Sequence, residues 1–168
     1  MKHHLQLVFV LLVSCLLGSQ SASAAGPKEF FMNSAGLEMF GGANRISLTP
    51  GFNFGLFPWM QVGGSFGYQS VGFADDSVNT TTIQIGPTFN LDGSAYASAT
   101  FLFFGYAIRK GSGTVSDTAN DPGGSGLALI VGRRIPVMGN LAYRPSVGLQ
   151  MAGKTTFVVN VLAASYFF

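Results

Sequence analysis

A two-residue alternation of side-chain character constrains the fold of this chain more than any other feature of its sequence. In residues 46–56 every even position is apolar, and every odd position is Ser, Thr, Gly or Asn. Residues 60–69, 83–91 and 141–151 largely follow the same pattern. Because successive side chains of a strand point to opposite faces, these segments are predicted to be strands with one apolar and one polar face. A soluble β-sandwich produces the same pattern, so alternation alone does not identify the solvent.

The composition favours lipid over water as that solvent. Only 10% of the residues are charged and 48% are hydrophobic, whereas soluble domains carry about 25% charged residues. The formal net charge is +2 and no cluster of basic residues is present. A nucleic-acid partner is therefore not expected.

The first 24 residues have the organisation of a secretory signal peptide. Lys2 supplies a positive charge, residues 5–18 form an apolar run, and a small-residue A-x-A motif ends at Ala24. We therefore expect cleavage after Ala24 and a single exported domain formed by residues 25–168.

A second reading of this segment is a lipoprotein signal. Residues 12–15 resemble a lipobox, which would leave a lipid on Cys15, the only cysteine of the chain. The apolar run continues through Leu16 and Leu17, where lipoprotein sequences turn polar, so removal of the whole segment is favoured. The exported domain would then contain no thiol and no disulfide.

No apolar stretch in the rest of the chain is long enough to cross a bilayer as a helix. Its longest apolar stretches, 95–108 and 157–168, fall short of the roughly 20 residues that a spanning helix needs. Lipid offers no partner for unpaired backbone groups, so a closed barrel is the remaining solution. We predict one all-β, transmembrane, antiparallel up-and-down barrel of eight strands, near residues 30–40, 45–56, 60–71, 80–91, 95–109, 127–137, 141–151 and 155–168.

The connections between these strands alternate between short and longer segments. Short turns at 57–59, 92–94 and 138–140 are predicted to face the periplasm, and the outer loops are 41–44, 72–79, 110–126 and 152–154. This asymmetry is typical of outer-membrane barrels. The segment 110–126 is rich in Gly, Ser, Thr and Asp, and we expect it to be mobile.

The chain ends in an alternating apolar pattern that closes on phenylalanine. Leu162, Ala164, Tyr166 and Phe168 carry the pattern, and Asn160 departs from it. This end resembles the β-signal that the barrel-assembly machinery reads in outer-membrane proteins. The layout of the exported domain resembles the small eight-stranded barrels of the OmpA and OmpX types. The resemblance implies a bacterial outer-membrane location, with outer-membrane lipid and the assembly machinery as partners.

Aromatic residues are predicted to mark the two membrane interfaces. Barrels carry a girdle of aromatic side chains at each interface. Core aromatics of a sandwich are the alternative, but the residues fall near segment ends rather than centres. The expected periplasmic members are Trp59, Tyr96 and Tyr143, and the expected outer members are Tyr68 and Tyr106.

The exported domain lacks the residue types that most active sites require. Both histidines, His3 and His4, and the single cysteine lie in the predicted signal peptide. Histidine-dependent membrane hydrolases, cysteine nucleophiles and the usual zinc sites are therefore excluded. We expect no enzymatic activity, no metal and no cofactor.

Charged residues inside the predicted strands are expected to face the lumen. An Arg facing lipid at mid-depth costs about 2–4 kcal/mol. Arg144 shares a predicted inner face with Ala142 and Ser146, and Glu38 is the only acid inside a predicted strand. We therefore predict a lumen charge network that pairs Glu38 with Arg144 or another Arg. Eight strands enclose just enough space for side chains to fill, so a plug is favoured over a solute path.

These features together predict a non-catalytic outer-membrane barrel with a structural or surface-interaction role. Residues 101–104 and 158–159 are apolar on both faces. This leaves open a narrow channel or a binder for small, possibly hydrophobic, molecules. A secreted soluble β-sandwich or lipocalin-like binding protein is a further alternative.

Overall fold

The computed structural model describes residues 26–40, 43–73, 76–93, 96–113 and 123–168. Within the strands, the side chains of residues 35–45, 73, 76, 113 and 154 lie outside this description. The predicted signal peptide, its cleavage site and Cys15 also lie outside it. Most of the predicted outer loop 110–126, for which mobility is expected, lies outside it too.

The segments in which apolar and polar side chains alternate form β-strands in the described chain. Two long hairpin units, each with strands of 14–15 residues, contribute the middle of the sheet. One short 3₁₀ helix, Tyr96–Ser98, precedes the fifth strand. The strands are β1 Glu29–Phe40, β2 Ala43–Phe57, β3 Met60–Phe73, β4 Asp76–Asn90, β5 Thr100–Gly113, β6 Gly124–Arg133, β7 Ile135–Met138, β8 Leu141–Tyr143, β9 Ser146–Ala152, β10 Lys154–Asn160 and β11 Ala164–Phe167.

All eleven strands belong to one antiparallel sheet that curls into a half-barrel. The order of neighbours is β10, β9, β6, β5, β4, β3, β2, β1, β11, β8, β7. From β1 to β6 each strand pairs with the next along the chain. The last strand, β11, pairs with the first, β1, through four residue pairs from Glu29–Phe167 to Met32–Ala164. The all-β, antiparallel up-and-down class is thereby confirmed.

The strand count differs from the predicted eight because the three last predicted strands are each interrupted. Arg134 separates β6 from β7, residues 144–145 separate β8 from β9, and residues 161–163 separate β10 from β11. At the first two of these interruptions, the backbone forms hydrogen bonds outside the strand ladder. Arg134 N–H donates to Ala99 O at 3.0 Å, and Arg144 N–H donates to Ala163 O at 2.9 Å. Pro145 contributes no N–H to a ladder.

The predicted strand boundaries also shift at several places. β1 begins at Glu29, one residue before the predicted start. β5 begins at Thr100 rather than 95, because the 3₁₀ helix occupies the preceding residues, and it extends to Gly113. β3 ends two residues later than predicted and β4 begins four residues earlier, which shortens the predicted loop 72–79.

A bulge interrupts the pairing of β1 with β2. Met32 pairs with Pro50 and Ala35 with Leu48, so Asn33 and Ser34 together face Thr49. Such an insertion bends the strand and increases its twist. The Ser34 and Thr49 hydroxyls are 3.0 Å apart across the bulge. β1 pairs with β11 only up to Met32, the residue before the bulge.

The two faces of the curled sheet differ in chemistry, and the apolar face is the outer one. Large apolar side chains of all the long strands are exposed on the convex side, among them Ile46, Phe66, Ile85, Tyr106 and Leu129. The concave side buries polar residues: Asn33, Asn53, Gln61, Gln84, Thr88, Asn90, Ser146, Gln150 and Asn160. Buried apolar residues share the interior: Phe101, Phe103, Ala107, Ala128, Ile130 and Ala152 form one cluster, and Phe31 and Phe167 are buried as well.

The segment 161–163 exchanges the faces of the last predicted strand. In β10 the even residue Asn160 is buried, whereas in β11 the odd residues Ser165 and Phe167 are buried. An extra residue therefore lies between the two strands. This shift explains why Asn160 departs from the alternating pattern of the C-terminus. Among the described residues, no helix is long and apolar enough to cross a membrane.

Candidate functional site

Three buried ionic side chains meet inside one end of the curled sheet. Glu29 begins β1, Arg134 occupies the break between β6 and β7, and Arg144 occupies the break between β8 and β9. Their exposed fractions are 0%, 0% and 3%. We call these three residues the charge cluster. The end that holds it, called the turn end, carries the connections at residues 58–59, 91–99 and 139–140; the opposite end is the loop end.

Arg134 is the best-bonded member of the charge cluster. Its Nε donates to Glu29 Oε1 at 2.9 Å, and its Nη2 donates to Glu29 Oε2 at 2.8 Å. Nη2 also donates to Gln61 Oε1 at 2.7 Å, and Nη1 donates to Asn90 Oδ1 at 2.9 Å. This bidentate geometry matches the planar fork of a guanidinium to a carboxylate. Asn53 Nδ2 donates a further bond to Glu29 Oε2 at 2.9 Å.

Arg144 is held mainly by aromatic rings. Its guanidinium carbon lies 4.2 Å from the ring centre of Phe31 and 4.1 Å from that of Phe101. The Phe101 ring also contacts the Arg134 guanidinium, at 4.9 Å, and so lies between the two cations. Arg144 Nη1 donates to Asn33, and Arg144 Nε lies 3.3 Å from Glu29 Oε1. Desolvated contacts between a guanidinium and an aromatic face are favourable.

Glycines in the sheet wall make room for these rings. A Cβ at Gly132 would lie 2.6 Å from the Phe101 Cζ atom, and a Cβ at Gly51 would overlap the Phe31 ring. Both rings therefore pack directly against backbone. Any side chain at either position would push the ring toward the guanidinium of Arg144.

The charge cluster contains more positive charge and more polar atoms than its own contacts balance. Two guanidinium groups share one carboxylate. In the described part of the chain, four buried side-chain atoms have no hydrogen-bond partner: Arg144 Nε in the cluster itself, and Gln61 Nε2, Thr88 Oγ1 and Ser165 Oγ outside it. Removing the shared carboxylate would leave two buried cations without a counter-charge, so the cluster ties three distant parts of the chain into one arrangement.

A cavity of about 350 Å³ occupies the interior toward the loop end. Hydroxyl and carboxamide groups line most of it, and Arg109 is the one charged side chain among its described lining residues. Gln84 Nε2 donates to Gln150 Oε1 at 3.2 Å across its inner side, and Asn160 Nδ2 donates to Ser146 Oγ at 2.9 Å. The cavity borders the charge cluster at Asn33, which lines the cavity and accepts a hydrogen bond from Arg144. We call it the loop-end cavity.

The structure pairs Arg144 with an acid that the sequence analysis did not single out. Arg144 is buried inside the sheet, and the acid it contacts is Glu29. The backbone of Glu38 pairs with Arg45 in the β1–β2 hairpin, and the Glu38 side chain lies outside the described residues. Glu29 was missed because the predicted strand began one residue later. Arg134 continues the inward parity of Ala128 and Ile130, a signal that the sequence offered.

The predicted interface aromatics lie at several heights on the outer face. Trp59 stacks between Phe57, 5.4 Å away, and Phe89, 6.2 Å away, at the turn end. Tyr96 donates its hydroxyl to the carbonyl of Phe57 nearby, and Tyr143 is half-buried.

The two predicted outer aromatics, Tyr68 and Tyr106, are both exposed. Tyr68 donates to Asn79 Oδ1 at 3.2 Å. Tyr106 lies at the middle of β5 rather than near its end, because β5 begins later and ends later than predicted. The residues of the predicted assembly signal, Leu162, Ala164, Tyr166 and Phe168, are all exposed.

Comparison with known proteins leaves the site to be interpreted from its own geometry. No protein-family model and no curated protein matches this chain. In the described part of the chain, no group of three or more His, Cys, Asp or Glu side chains could hold a metal ion.

Proposed function

We propose that the protein is an integral outer-membrane β-barrel with a non-catalytic structural or surface-interaction role. One observation carries this proposal: apolar side chains cover the outside of the curled sheet, while polar and charged side chains fill its inside. A soluble protein rarely exposes so large an apolar surface. In a bilayer the same surface contacts acyl chains, and the ionic groups stay away from lipid.

The pairing of the strands supports eight membrane crossings. Counting β6 with β7, β8 with β9, and β10 with β11 as one crossing each reduces eleven strands to eight. Under this count β11 joins the eighth crossing to the first, through its pairing with β1. The β2 and β4 strands have 15 residues each, and a crossing strand needs about 9–11.

The charge cluster supports a plugged barrel rather than an open one. It lies across the interior at the turn end, and three aromatic rings pack around it. Barrels of eight strands have interiors just wide enough for side chains to fill. The role assigned to Glu29, Arg134 and Arg144 is therefore to hold the wall together from within.

Differential gel migration tests the membrane proposal. The protein, expressed with its leader and extracted from membranes with detergent, is run on a gel before and after boiling. We expect an unboiled band of different mobility, because a closed barrel binds denaturing detergent only after it unfolds. Recovery as a stable monomer in buffer without detergent would exclude the proposal and favour the secreted binder.

A narrow channel is the second candidate, and the loop-end cavity is the observation that favours it. Its polar lining extends from the loop end to the Gln84–Gln150 hydrogen bond. Planar-bilayer recording separates the two roles: a plugged barrel gives no stepwise conductance. Steps that disappear in a variant with a bulkier residue in the cavity, such as Thr82→Trp, would establish the channel instead.

A further inference from the structure

The loop-end cavity reaches a part of the wall where two adjacent strands are unpaired in the described residues. β10 pairs with β9 along its whole length, from Lys154 to Asn160. On its other side no pairing with β1 occurs among the described residues, since β1 pairs with the last crossing only from Glu29 to Met32. The bulge at Asn33 and Ser34 and the irregular segment 161–163 both bend the chain at this level. We call the resulting gap between β1 and β10 the seam.

The residues that line the cavity change from polar to apolar at the seam. Thr156, Phe157, Val158 and Val159 all contribute to it. Because alternate residues of a strand face opposite sides, a consecutive run means that the cavity borders the free edge of β10. Phe157 and Val159 are 67% and 53% exposed and belong to the outer apolar face. The wall thus passes from polar inside to apolar outside along one strand edge.

Unpaired strand edges at membrane depth need a partner. Each backbone group left without a hydrogen bond in hydrocarbon is costly. A head group with several hydroxyls can bond the strand edge where it borders the cavity, and an attached apolar chain can fill the outer part of the gap. The volume of about 350 Å³ lies at the small end of ligand pockets, which begin at about 300 Å³.

We propose that the loop-end cavity binds the uncharged, hydroxyl-bearing head of a single-chain amphiphile. Its alkyl chain leaves the barrel through the seam, alongside Phe157 and Val159. The head group donates to and accepts from hydroxyl and carboxamide side chains of the lining, such as Ser34, Thr49 and Gln84. This site rests on the proposed function, because the chain of the amphiphile must pass into lipid.

Photolabelling in bilayers tests the site. The protein is reconstituted into phospholipid nanodiscs with a long-chain alkyl glucoside that carries a diazirine in its chain. After irradiation we expect labels concentrated on peptides that contain residues 156–160 and Ser34. The unlabelled glucoside should compete for these labels, and free glucose should not. Labels spread evenly over the outer face would overturn the site, since annular lipid would produce that result.

Two comparisons make the labelling specific to the seam. The pair Ser34→Cys and Val158→Cys, from opposite sides of the seam, should abolish site labelling when oxidised and restore it after reduction. The matched control pair, Phe66→Cys and Ile83→Cys, joins paired residues of β3 and β4 and should leave labelling unchanged. Labelling that persists in the oxidised seam variant would overturn the proposal. If that disulfide does not form, Thr49→Trp, which fills the cavity beside Ser34, carries the same expectation.

A second arm tests the head group. A fatty acid of equal chain length places a carboxylate at the same depth. We expect it to compete less well than the glucoside, because the one charged lining residue described, Arg109, already makes an interaction of its own and the other lining groups are uncharged. Stronger competition by the fatty acid would overturn the assigned head-group chemistry. Each variant is first checked for heat-dependent gel migration, so failure to form a barrel is distinguished from failure to bind.

Discussion

The turn end and the loop end of the interior solve the same packing problem in different ways. At the turn end, a carboxylate, two guanidinium groups, carboxamides and aromatic rings fill the interior. At the loop end, short hydroxyl side chains leave a cavity, and two neighbouring strands remain unpaired. The comparison indicates that stability is concentrated at the turn end, and that the loop end is where a ligand finds space.

The largest expected effect is the loss of Glu29, the one acid of the charge cluster. Glu29→Gln leaves two buried cations without a counter-charge, so we expect the free energy of unfolding to fall by about 3–5 kcal/mol. Urea titration in lipid vesicles, followed by the fluorescence of Trp59, the only tryptophan, measures it. Lys28→Gln is the matched control, because Lys28 is the exposed neighbour. Equal midpoints for both variants would refute a stabilising cluster.

The two arginines should differ in importance. Arg134→Met removes four hydrogen bonds and should destabilise the protein by about 3 kcal/mol. Arg144→Met leaves the Glu29–Arg134 pair balanced and mainly removes cation–π contacts, so a loss of about 1 kcal/mol is expected. The same urea titration compares them. The reverse order would show that ring contacts, rather than the bidentate pair, hold the turn end.

At the loop end, single substitutions should have smaller effects. Gln84→Ala removes two neutral hydrogen bonds, one donated to Gln150 and one accepted from Ser65, and should lower the free energy of unfolding by about 1–2 kcal/mol. Gln69→Ala, in the same cavity, makes no side-chain hydrogen bond in the described part of the chain and serves as the control. A loss in the Gln84 variant as large as that of Glu29→Gln would contradict the division of the interior into a tight and a loose end.

The smallest effect is expected from the removal of a buried hydroxyl group that makes no hydrogen bond. Thr88 Oγ1 is buried without a hydrogen-bond partner. Thr88→Val keeps the shape and removes this hydroxyl, so we expect a change within about 1 kcal/mol, neutral or stabilising. Unfolding midpoints of the two proteins, measured side by side, decide the matter. A clear loss of stability would mean that Thr88 has a partner, such as an ordered water.

Alternation predicted the fold class and the facing of residues wherever the strands are regular. Arg144 shares its inward face with Ala142 and Ser146, and all three are buried. The sequence could not locate the breaks in the last three crossings, because they depend on contacts between distant residues. Arg134 and Arg144 leave the ladder where their side chains meet Glu29, which lies more than 100 positions away.

A one-residue error in the predicted start of the first strand was enough to miss the acid of the charge cluster. Moving the start of the first strand by one residue excludes Glu29 and leaves Glu38 as the only candidate. Strand ends are set by the closing pair Glu29–Phe167, and that pairing joins the two ends of the sheet. Local sequence carries no information about it.

The split of the charge cluster between the two ends of the chain has a consequence for biogenesis. The carboxylate arrives with the first strand, and both guanidinium groups arrive with the last three crossings. If the protein is the membrane barrel proposed above, a partly inserted chain that has not yet joined its ends carries two cations with no acid to neutralise them, at a depth where lipid rejects charge. In that barrel, the step that pairs the last strand with the first also brings the acid to the two cations, so closure and neutralisation of the interior occur together.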